Sequence, residues 1–317
     1  MKRITWYVCI FLFFAFLSSA RADTFSFVAL GDLPYGSDET AGVKYRELIT
    51  QINTLNPEFS IHVGDFKSGS TRCSDEEFER QRKHFDLFKG ALIYTPGDND
   101  WTDCGRKNNG SYDPLERLAK IRGQFFKPET SLGQAPLPVV IQAKVMPEYS
   151  TYIENQRWQF AKTLFTTLHI VGSDNRFAPN NVDADKEFRA RDQANVAWIN
   201  EAFRLAASQK LQTLVFAFQA DVIREMSGTG ALPDKTGYHA SIERTLLPLA
   251  KEFRGSVLIV HGDSHKFEFD QAFLLDSQVL KNVYRLEVPG AKTTGAVSIK
   301  IEEGSAMPFS VKQFILP

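Results

Sequence analysis

The sequence has few cysteines, no excess charge of either sign, and no long apolar run after its first residues. Its 317 residues include three cysteines, which are too few for a disulfide-rich scaffold or a four-cysteine zinc site. Lysine and arginine number 37 against 38 acidic residues, for a formal net charge of −1. Because no basic excess is present to neutralise phosphates, we expect no binding to duplex nucleic acid.

The first residues have the features of a secretory signal peptide. A basic start at residues 1–3 precedes an almost unbroken apolar stretch at residues 4–17, and Ala20-Arg21-Ala22 matches a cleavage site. An uncleaved membrane anchor is the alternative, but about fourteen apolar residues fall short of the roughly 20 that span a bilayer. We therefore expect export to the periplasm or beyond the cell, a single mature domain at residues 23–317, and no stable membrane anchor.

Cleavage would leave an even number of cysteines. Removal of residues 1–22 takes away Cys9 and leaves Cys73 and Cys104. Two cysteines that remain in an exported chain are commonly joined, so we expect a disulfide between them. Two unpaired thiols are the alternative.

The rest of the chain alternates between short apolar runs and segments with helical spacing. Runs rich in Val, Ile and Phe predict strands at residues 25–30, 59–63, 91–94, 164–171, 213–218 and 257–260. Helical spacing predicts helices at residues 45–52, 78–88, 114–125, 195–207 and 242–253, with Asp113 as the cap of the third. Residues 283–316 alternate like antiparallel strands. This order predicts an α/β fold with mainly parallel strands and no domain linker.

Four of the predicted strands run directly into the dipeptide Gly-Asp. Their aspartates are Asp32, Asp65, Asp98 and Asp263. In α/β folds the ligand site lies at the carboxyl ends of the strands, so these side chains should converge on one edge. Clustered carboxylates repel one another unless a cation holds them, which favours a site for Mn, Fe, Zn or Mg. A metal-free cluster of polar turns is the alternative, because Asp is common in turns.

The order of these motifs resembles that of the calcineurin-like metallophosphoesterase superfamily over roughly residues 25–270. That family has an Asp motif after strand one, Gly-Asp after strand two and Gly-Asn-His-Asp/Glu after strand three. An isolated His and a Gly-His-x-His motif follow later. The resemblance implies a four-layer α/β/β/α sandwich of mixed sheets, with a metal site between the sheets.

The resemblance also implies a set of metal ligands, all of which follow predicted strands. They are Asp32, Asp65, Asp98, Gln219, Asp263 and His265. Three departures from the family pattern, at Asp98, Gln219 and Asp263, exchange one possible ligand for an oxygen ligand, which favours a remodelled site over a decayed one. Pro34 stands where the family has a histidine and cannot bind a metal. One divalent ion and two divalent ions therefore remain alternatives.

The implied activity is metal-dependent hydrolysis of a phosphoester bond in a small phosphorylated substrate, with a metal-activated water as nucleophile. Asn99 stands where the family has its catalytic histidine and cannot act as the usual general acid. The candidate catalytic residues are Asn99, Asp100 and His261, and His62 is a further possible acid. Both histidines have a structural alternative as buried, hydrogen-bonded side chains within their strands.

Two other functions compete with phosphoester hydrolysis. A catalytically inactive relative could bind a phosphorylated or sugar ligand in the same cleft, as the loss of the usual histidine at Asn99 suggests. A hydrolase of another ester with a single metal is the third reading. If strands two and three are neighbours, a Cys73–Cys104 bridge would join the two loops that flank the site.

Overall fold

The computed structural model describes residues 24–317. The predicted signal peptide at residues 1–22 lies outside the described residues. The strands are β1 (Thr24–Leu30), β2 (Phe59–His62), β3 (Ala91–Tyr94), β4 (Leu132–Gly133), β5 (Val140–Ile141), β6 (Gln156–Phe160), β7 (Thr163–Thr167), β8 (Thr213–Ala217), β9 (Ser256–His261), β10 (Glu268–Asp270), β11 (Leu274–Leu275), β12 (Gln278–Val279), β13 (Val283–Glu287), β14 (Gly295–Glu302) and β15 (Phe309–Ile315).

The helices alternate with the strands over most of this length. They are α1 (Val43–Leu55), α2 (Asp75–Phe85), α3 (Pro114–Phe125), α4 (Gln142–Val145), α5 (Gly172–Asn175), α6 (Val182–Gln209) and α7 (Leu247–Glu252), and a π-helix at His239–Leu246 leads into α7. Asp113 caps α3, as predicted, because its carboxylate accepts the backbone N–H of Leu115 over 2.7 Å. Within residues 24–317, no helix has both the length and the apolar character needed to cross a membrane.

Two mixed sheets form the centre of the fold. The first has the strand order β15-β14-β1-β2-β3-β4, and the second has the order β10-β13-β9-β8-β7-β6-β5. Strands β1, β2 and β3 are parallel to one another, as are β7, β8, β9 and β13. The remaining neighbours within these sheets pair antiparallel.

Three apolar clusters hold four layers together. Between the sheets, the ring of Phe165 packs edge-on against Phe27 and Phe59 at centroid distances of 5.3 and 4.9 Å. Helices α1, α2 and α3 cover the outer face of the first sheet, and α6, α7 and the π-helix cover that of the second. Each sheet thus buries both faces, which explains the nearly continuous apolar runs of its central strands. The predicted α/β/β/α sandwich is confirmed.

Several element boundaries differ from the sequence predictions. Strand β13 belongs to the predicted antiparallel segment but pairs parallel with β9 in the second sheet. The prediction was wrong because a short apolar run does not indicate which strand it will pair with. Helix α6 begins at Val182, thirteen residues before the predicted start at residue 195. Its first half buries Arg191 and Asp192, so the apolar spacing that predicts a helix is interrupted there.

Candidate metal centre

The two sheets bring their strand ends together at one edge. Asp32, Asp65 and Asp98 follow β1, β2 and β3, whereas Gln219 and Asp263 follow β8 and β9. Contacts cross from one sheet to the other: the backbone N–H of Asp263 lies 3.2 Å from Asp32 Oδ2, and Gln219 Nε2 lies 3.1 Å from Asp98 Oδ1. His265 Nε2 is 3.5 Å from Asp32 Oδ1. Gln219 Nε2 also lies 3.1 Å from Asp263 Oδ1, and the backbone N–H of Asn99 is shared by Asp65 Oδ1 and Asp98 Oδ1. The six candidate ligands therefore form one contiguous group.

The backbone at this edge has left-handed conformations that residues other than glycine rarely adopt. Asp32, Asp65, Asp263 and His265 have φ angles of 53°, 56°, 77° and 66°. Left-handed conformations of non-glycine residues are costly and concentrate at functional sites. Gly97 allows the loop after β3 to approach the carboxylate of Asp65, because a Cβ at this position would overlap Asp65 Oδ1.

Asp65 lies at the centre of the group and receives hydrogen bonds from two side chains. The hydroxyl of Tyr35 donates to Asp65 Oδ2 over 2.9 Å, and Asn99 Nδ2 donates to the same oxygen over 2.6 Å. Asn99 Nδ2 also lies 2.8 Å from the Tyr35 hydroxyl oxygen. Tyr35 is not among the predicted site residues, although its position three residues after Asp32 places it in the same strand-end loop.

Asp98 is held by the turn α5, which the sequence did not indicate. Ser173 Oγ donates to Asp98 Oδ2 over 2.6 Å, and Ser173 has a φ of 51°. Gln219 Nε2 also reaches Asp263 Oδ1 over 3.1 Å, while Gln219 Oε1 accepts the backbone N–H of Gly172. In this orientation the amide nitrogen of Gln219, and not its oxygen, faces the carboxylates.

The carboxylates of the group are unfavourable as anions without a cation. Burial raises the pKa of Asp65 well above its usual range, and the charges of Asp98, Asp100, Asp32 and Asp263 raise it further. Burial, followed by the charges of Asp98 and Asp32, raises the pKa of Asp263 to about 7. Oxygen donors with one imidazole are a ligand set for hard or borderline divalent ions. The donor chemistry and the crowded charge therefore fit a divalent metal.

Two of the candidate catalytic residues lie beneath the group. Asp100 is fully buried, and its carboxylate accepts the backbone N–H groups of Asp65, Phe66 and Gly97. His261 is also fully buried, with Nδ1 3.0 Å from the carbonyl oxygen of Gly262. Of the three candidate catalytic residues, only Asn99 is partly exposed.

The further candidate acid, His62, is also buried and lies on the far side of its strand. Its ring packs against Phe85 at a centroid distance of 5.0 Å, and burial lowers its pKa to about 3. Its Nδ1 accepts the backbone N–H of Gly64 over 3.2 Å. The structure therefore does not bring this side chain to the carboxylate group.

The predicted disulfide is confirmed and lies beside the group. Cys73 and Cys104 are bonded, with their Cα atoms 5.6 Å apart. Strands β2 and β3 are neighbours, so the bridge joins the two loops that follow them. Each sulfur lies 4.0 Å from the backbone oxygen of Asn99. The bridge therefore contacts the residue that stands in place of the family's catalytic histidine.

A second group of possible metal ligands lies deeper in the second sheet. Within residues 24–317, Asp221, His261 and Glu287 place one ligand atom each within 4.8 Å of one another. All three residues are buried. Asp221 and Glu287 have no counterpart in the predicted site.

The architecture is similar to that of a solved phosphatase, although the sequence matches no family model. No protein-family model matches the chain, and no curated protein matches it. A dimetal phosphatase from Danio rerio has a similar structure, with a TM-score of 0.56 at 10% identity over 91% of this chain and 95% of that one. The purple acid phosphatase PPD1 from yellow lupin (Lupinus luteus) seeds gives a TM-score of 0.49 at 10% identity, over 93% of this chain and 52% of that one.

The likeness to the Danio rerio phosphatase covers nearly the full length of both chains. At 10% identity it is a likeness of fold. The chain therefore has the calcineurin-like metallophosphoesterase fold that its motifs predicted.

Proposed function

We propose that the protein is a metal-dependent hydrolase of phosphoester bonds that acts on a small phosphorylated substrate. The observation that carries this proposal is the convergence of Asp32, Asp65, Asp98 and Asp263 from two sheets onto one buried edge. Such crowding of carboxylates is unfavourable without a cation. The phosphatase named above lends support, because it has this fold and its name describes a dimetal enzyme.

The proposed ligands divide into two positions that share Asp65. Asp32 and His265 complete the first position, where His265 Nε2 lies 3.5 Å from Asp32 Oδ1. Asp98, Gln219 and Asp263 complete the second, although Gln219 can bind a metal only if its amide group turns over. A divalent ion bound there would polarise a phosphoryl oxygen and lower the pKa of a bound water.

The other residues of the site have supporting roles in this proposal. Asn99 contacts the substrate in this proposal, because it is the partly exposed residue among the three candidate catalytic residues. Asp100 holds the loops of Asp65 and Gly97 through their backbone N–H groups, and it acts by positioning. Arg224 lies beside the group, with its side chain 55% exposed and its Nη2 3.4 Å from Asp263 Oδ2, and a guanidinium there can pair with a phosphoryl group.

We further propose that the protein is exported. The sequence of residues 1–22 supports this proposal, since it has the features of a cleaved signal peptide. The disulfide Cys73–Cys104 supports it as well, because disulfides persist in oxidising compartments.

Metal content and turnover test the proposed function together. The purified protein would be assayed for bound metals by mass spectrometry and for hydrolysis of an aryl phosphate with added Mn²⁺, Zn²⁺ or Mg²⁺. We expect bound metal and turnover in the wild type, and loss of turnover in Asp65→Asn. The exposed Asp276→Asn is the matched control and should keep full activity.

Three results would decide against the proposal. Absence of both metal and turnover would overturn it, and full activity in Asp65→Asn would show that the site is elsewhere. Bound metal without turnover on any phosphoester would favour the inactive ligand-binding protein. The replacement of the family's histidine by Asn99 supports that second candidate.

A further inference from the structure

We propose that Asp221, His261 and Glu287 form an additional metal site, separate from the proposed catalytic centre, which takes a borderline divalent ion such as Zn²⁺ or Mn²⁺. The three residues follow or end the adjacent parallel strands β8, β9 and β13 of the second sheet. One ligand atom of each lies within 4.8 Å of the others. Two carboxylates with one imidazole are a ligand set typical of such ions.

The tautomer of His261 supports metal binding. Its Nδ1 lies 3.0 Å from the carbonyl oxygen of Gly262, which can only accept, so Nδ1 carries the hydrogen. The neutral ring therefore has its lone pair on Nε2, and that nitrogen is buried without a hydrogen-bond partner within residues 24–317. Metal-binding histidines commonly have this arrangement, with one nitrogen donating to a carbonyl group and the other free for the ion.

The charge around the triad also calls for a cation. Asp221 and Glu287 are buried, with exposed fractions of 5% and 1%. Arg285 and Arg224 are the nearby cations. Nε and Nη2 of Arg285 donate to Asp270, and its Nη1 lies 4.0 Å from Glu287 Oε2. Arg224 donates its backbone N–H to Asp221 Oδ1 over 3.2 Å, but its guanidinium lies against Asp263. Buried carboxylates require close compensation of their charge, and both guanidinium groups pair with other carboxylates.

The triad is connected to the loop that carries proposed catalytic ligands. Glu287 Oε1 accepts hydrogen bonds from Ser264 Oγ over 2.5 Å and from the backbone N–H of Lys266 over 2.9 Å. These two residues flank His265. The backbone N–H of Asp221 donates to Asp263 Oδ2 over 3.3 Å. An ion that fixes Asp221 and Glu287 would therefore also fix the carboxylate of Asp263 and the residues on both sides of His265.

The test is made in a protein whose proposed catalytic centre is disabled, so the two proposals can fail separately. Asp65→Asn is purified, stripped with a chelator and titrated with Zn²⁺ alone and with Mn²⁺ alone. Bound metal is counted by mass spectrometry, and thermal unfolding is followed by circular dichroism. We expect one equivalent of bound metal and a higher Tm for at least one of these ions.

The triad variants are then introduced into the Asp65→Asn background. Glu287→Gln and, independently, Asp221→Asn should abolish both the bound equivalent and the rise in Tm. Glu268→Gln, on the neighbouring strand β10 with a side chain 47% exposed, is the matched control and should retain both. Using two triad variants keeps the test decisive if one of them does not fold.

Two outcomes would overturn the additional site. The first is that Asp65→Asn binds neither ion and its Tm is unchanged, in which case the triad is a hydrogen-bonded cluster without a metal. The second is that the bound equivalent persists in folded Glu287→Gln and Asp221→Asn variants, which would assign the ion to another place. Neither outcome depends on phosphoesterase activity.

Discussion

Asp100 accepts the backbone N–H of Asp65 over 3.0 Å through Oδ2, so a fully buried carboxylate fixes the loop that carries the central candidate ligand. The same oxygen accepts the backbone N–H of Gly97 over 2.8 Å and the hydroxyl of Tyr94 over 2.8 Å. Oδ1 accepts the backbone N–H of Phe66 over 2.9 Å. One side chain thus joins the loops that follow β2 and β3.

We expect Asp100→Asn to destabilise the fold and to lower turnover. Both oxygens of Asp100 accept backbone N–H groups, so the amide NH₂ must face a donor in either orientation. A buried donor left without a partner costs about 1–3 kcal/mol. Urea unfolding should show a loss of stability in this range. An aryl phosphate assay should show at least a tenfold loss of turnover, because the loop of Asp65 would move.

Tyr94→Phe is the matched control for Asp100→Asn. It removes only the hydroxyl that donates to Asp100 and leaves the backbone donors in place. We expect a loss of about 1 kcal/mol, with metal content unchanged. If Asp100→Asn were as stable and as active as Tyr94→Phe, the positioning role of Asp100 would be wrong.

Much of the candidate site was readable from the sequence because its residues share a local signal. Asp32, Asp65, Asp98 and Asp263 each follow a glycine at the end of an apolar run, and parallel strands bring such ends to one edge. Tyr35 does not follow a glycine in this way, but it lies three residues after Asp32, whereas Ser173 has no local signal. Ser173 reaches Asp98 across 75 positions of sequence, and this contact exists only after the sheets pack. Contacts between residues so far apart in the chain cannot be predicted from the spacing of residues within a short segment.

The layers of the fold were also predictable from the sequence, whereas some pairings and boundaries were not. Alternation of strands and helices indicates the layers, and the motif order indicates their arrangement. The pairing of β13 with β9 and the early start of α6 were not predictable. In α6 the buried Arg191 pairs with Glu187 of the same helix and also donates to the carbonyl oxygens of His169 and Asn175, which lie outside it. A buried arginine interrupts the apolar spacing from which a helix is predicted, and its partners outside the helix are not visible in the local sequence.

We expect Tyr35→Phe to lower turnover without removing metal. Burial, and then the charges of Asp65 and Asp32, raise the pKa of Tyr35, so its hydroxyl stays protonated and donates to Asp65. Loss of this hydrogen bond and of the contact with Asn99 should reduce kcat about tenfold, which corresponds to about 1.4 kcal/mol. Metal content and kcat would be measured on the same preparation.

The control for Tyr35→Phe is Tyr149→Phe, which removes a hydroxyl from the turn that precedes β6. It should have wild-type kcat and wild-type metal content. A Tyr35→Phe protein with unchanged kcat would contradict the proposed role of Tyr35. Loss of metal would instead place Tyr35 among the groups needed to bind it.

We expect His169 to contribute a loss of stability between about pH 6.5 and pH 4. Burial lowers the pKa of this histidine from 6.5 to about 4, although its hydrogen bond to Glu154, of 2.8 Å, opposes the shift. The neighbouring Arg191 and Arg122 also disfavour the charged ring. In this window the unfolded chain binds a proton that the folded chain does not, so acid favours unfolding. The contribution is on the order of 2 kcal/mol at pH 5.

The measurement is urea unfolding at pH 7 and pH 5, for the wild type and for His169→Gln. Glutamine keeps a donor for Glu154 and cannot titrate, so the variant should lose less stability on acidification than the wild type. The buried His62, whose pKa burial lowers to about 3, contributes the same sign in both proteins and leaves a residual pH dependence. Equal losses in the two proteins would show that His169 is not the group responsible.

Reduction of the disulfide should lower turnover in a protein that remains folded. The bridge closes a loop with a sequence separation of 31, which corresponds to roughly 3–4 kcal/mol of stability in the chain-entropy treatment. Both sulfurs contact the backbone oxygen of Asn99, so the loop that carries Asn99 should relax before the layers separate. We expect a phosphine reductant to decrease kcat while the far-ultraviolet circular dichroism is unchanged.

The Cys73→Ser/Cys104→Ser variant should start at the lower activity and should not respond to the reductant. Full activity in the reduced wild type would show that the bridge stabilises the fold without organising the site.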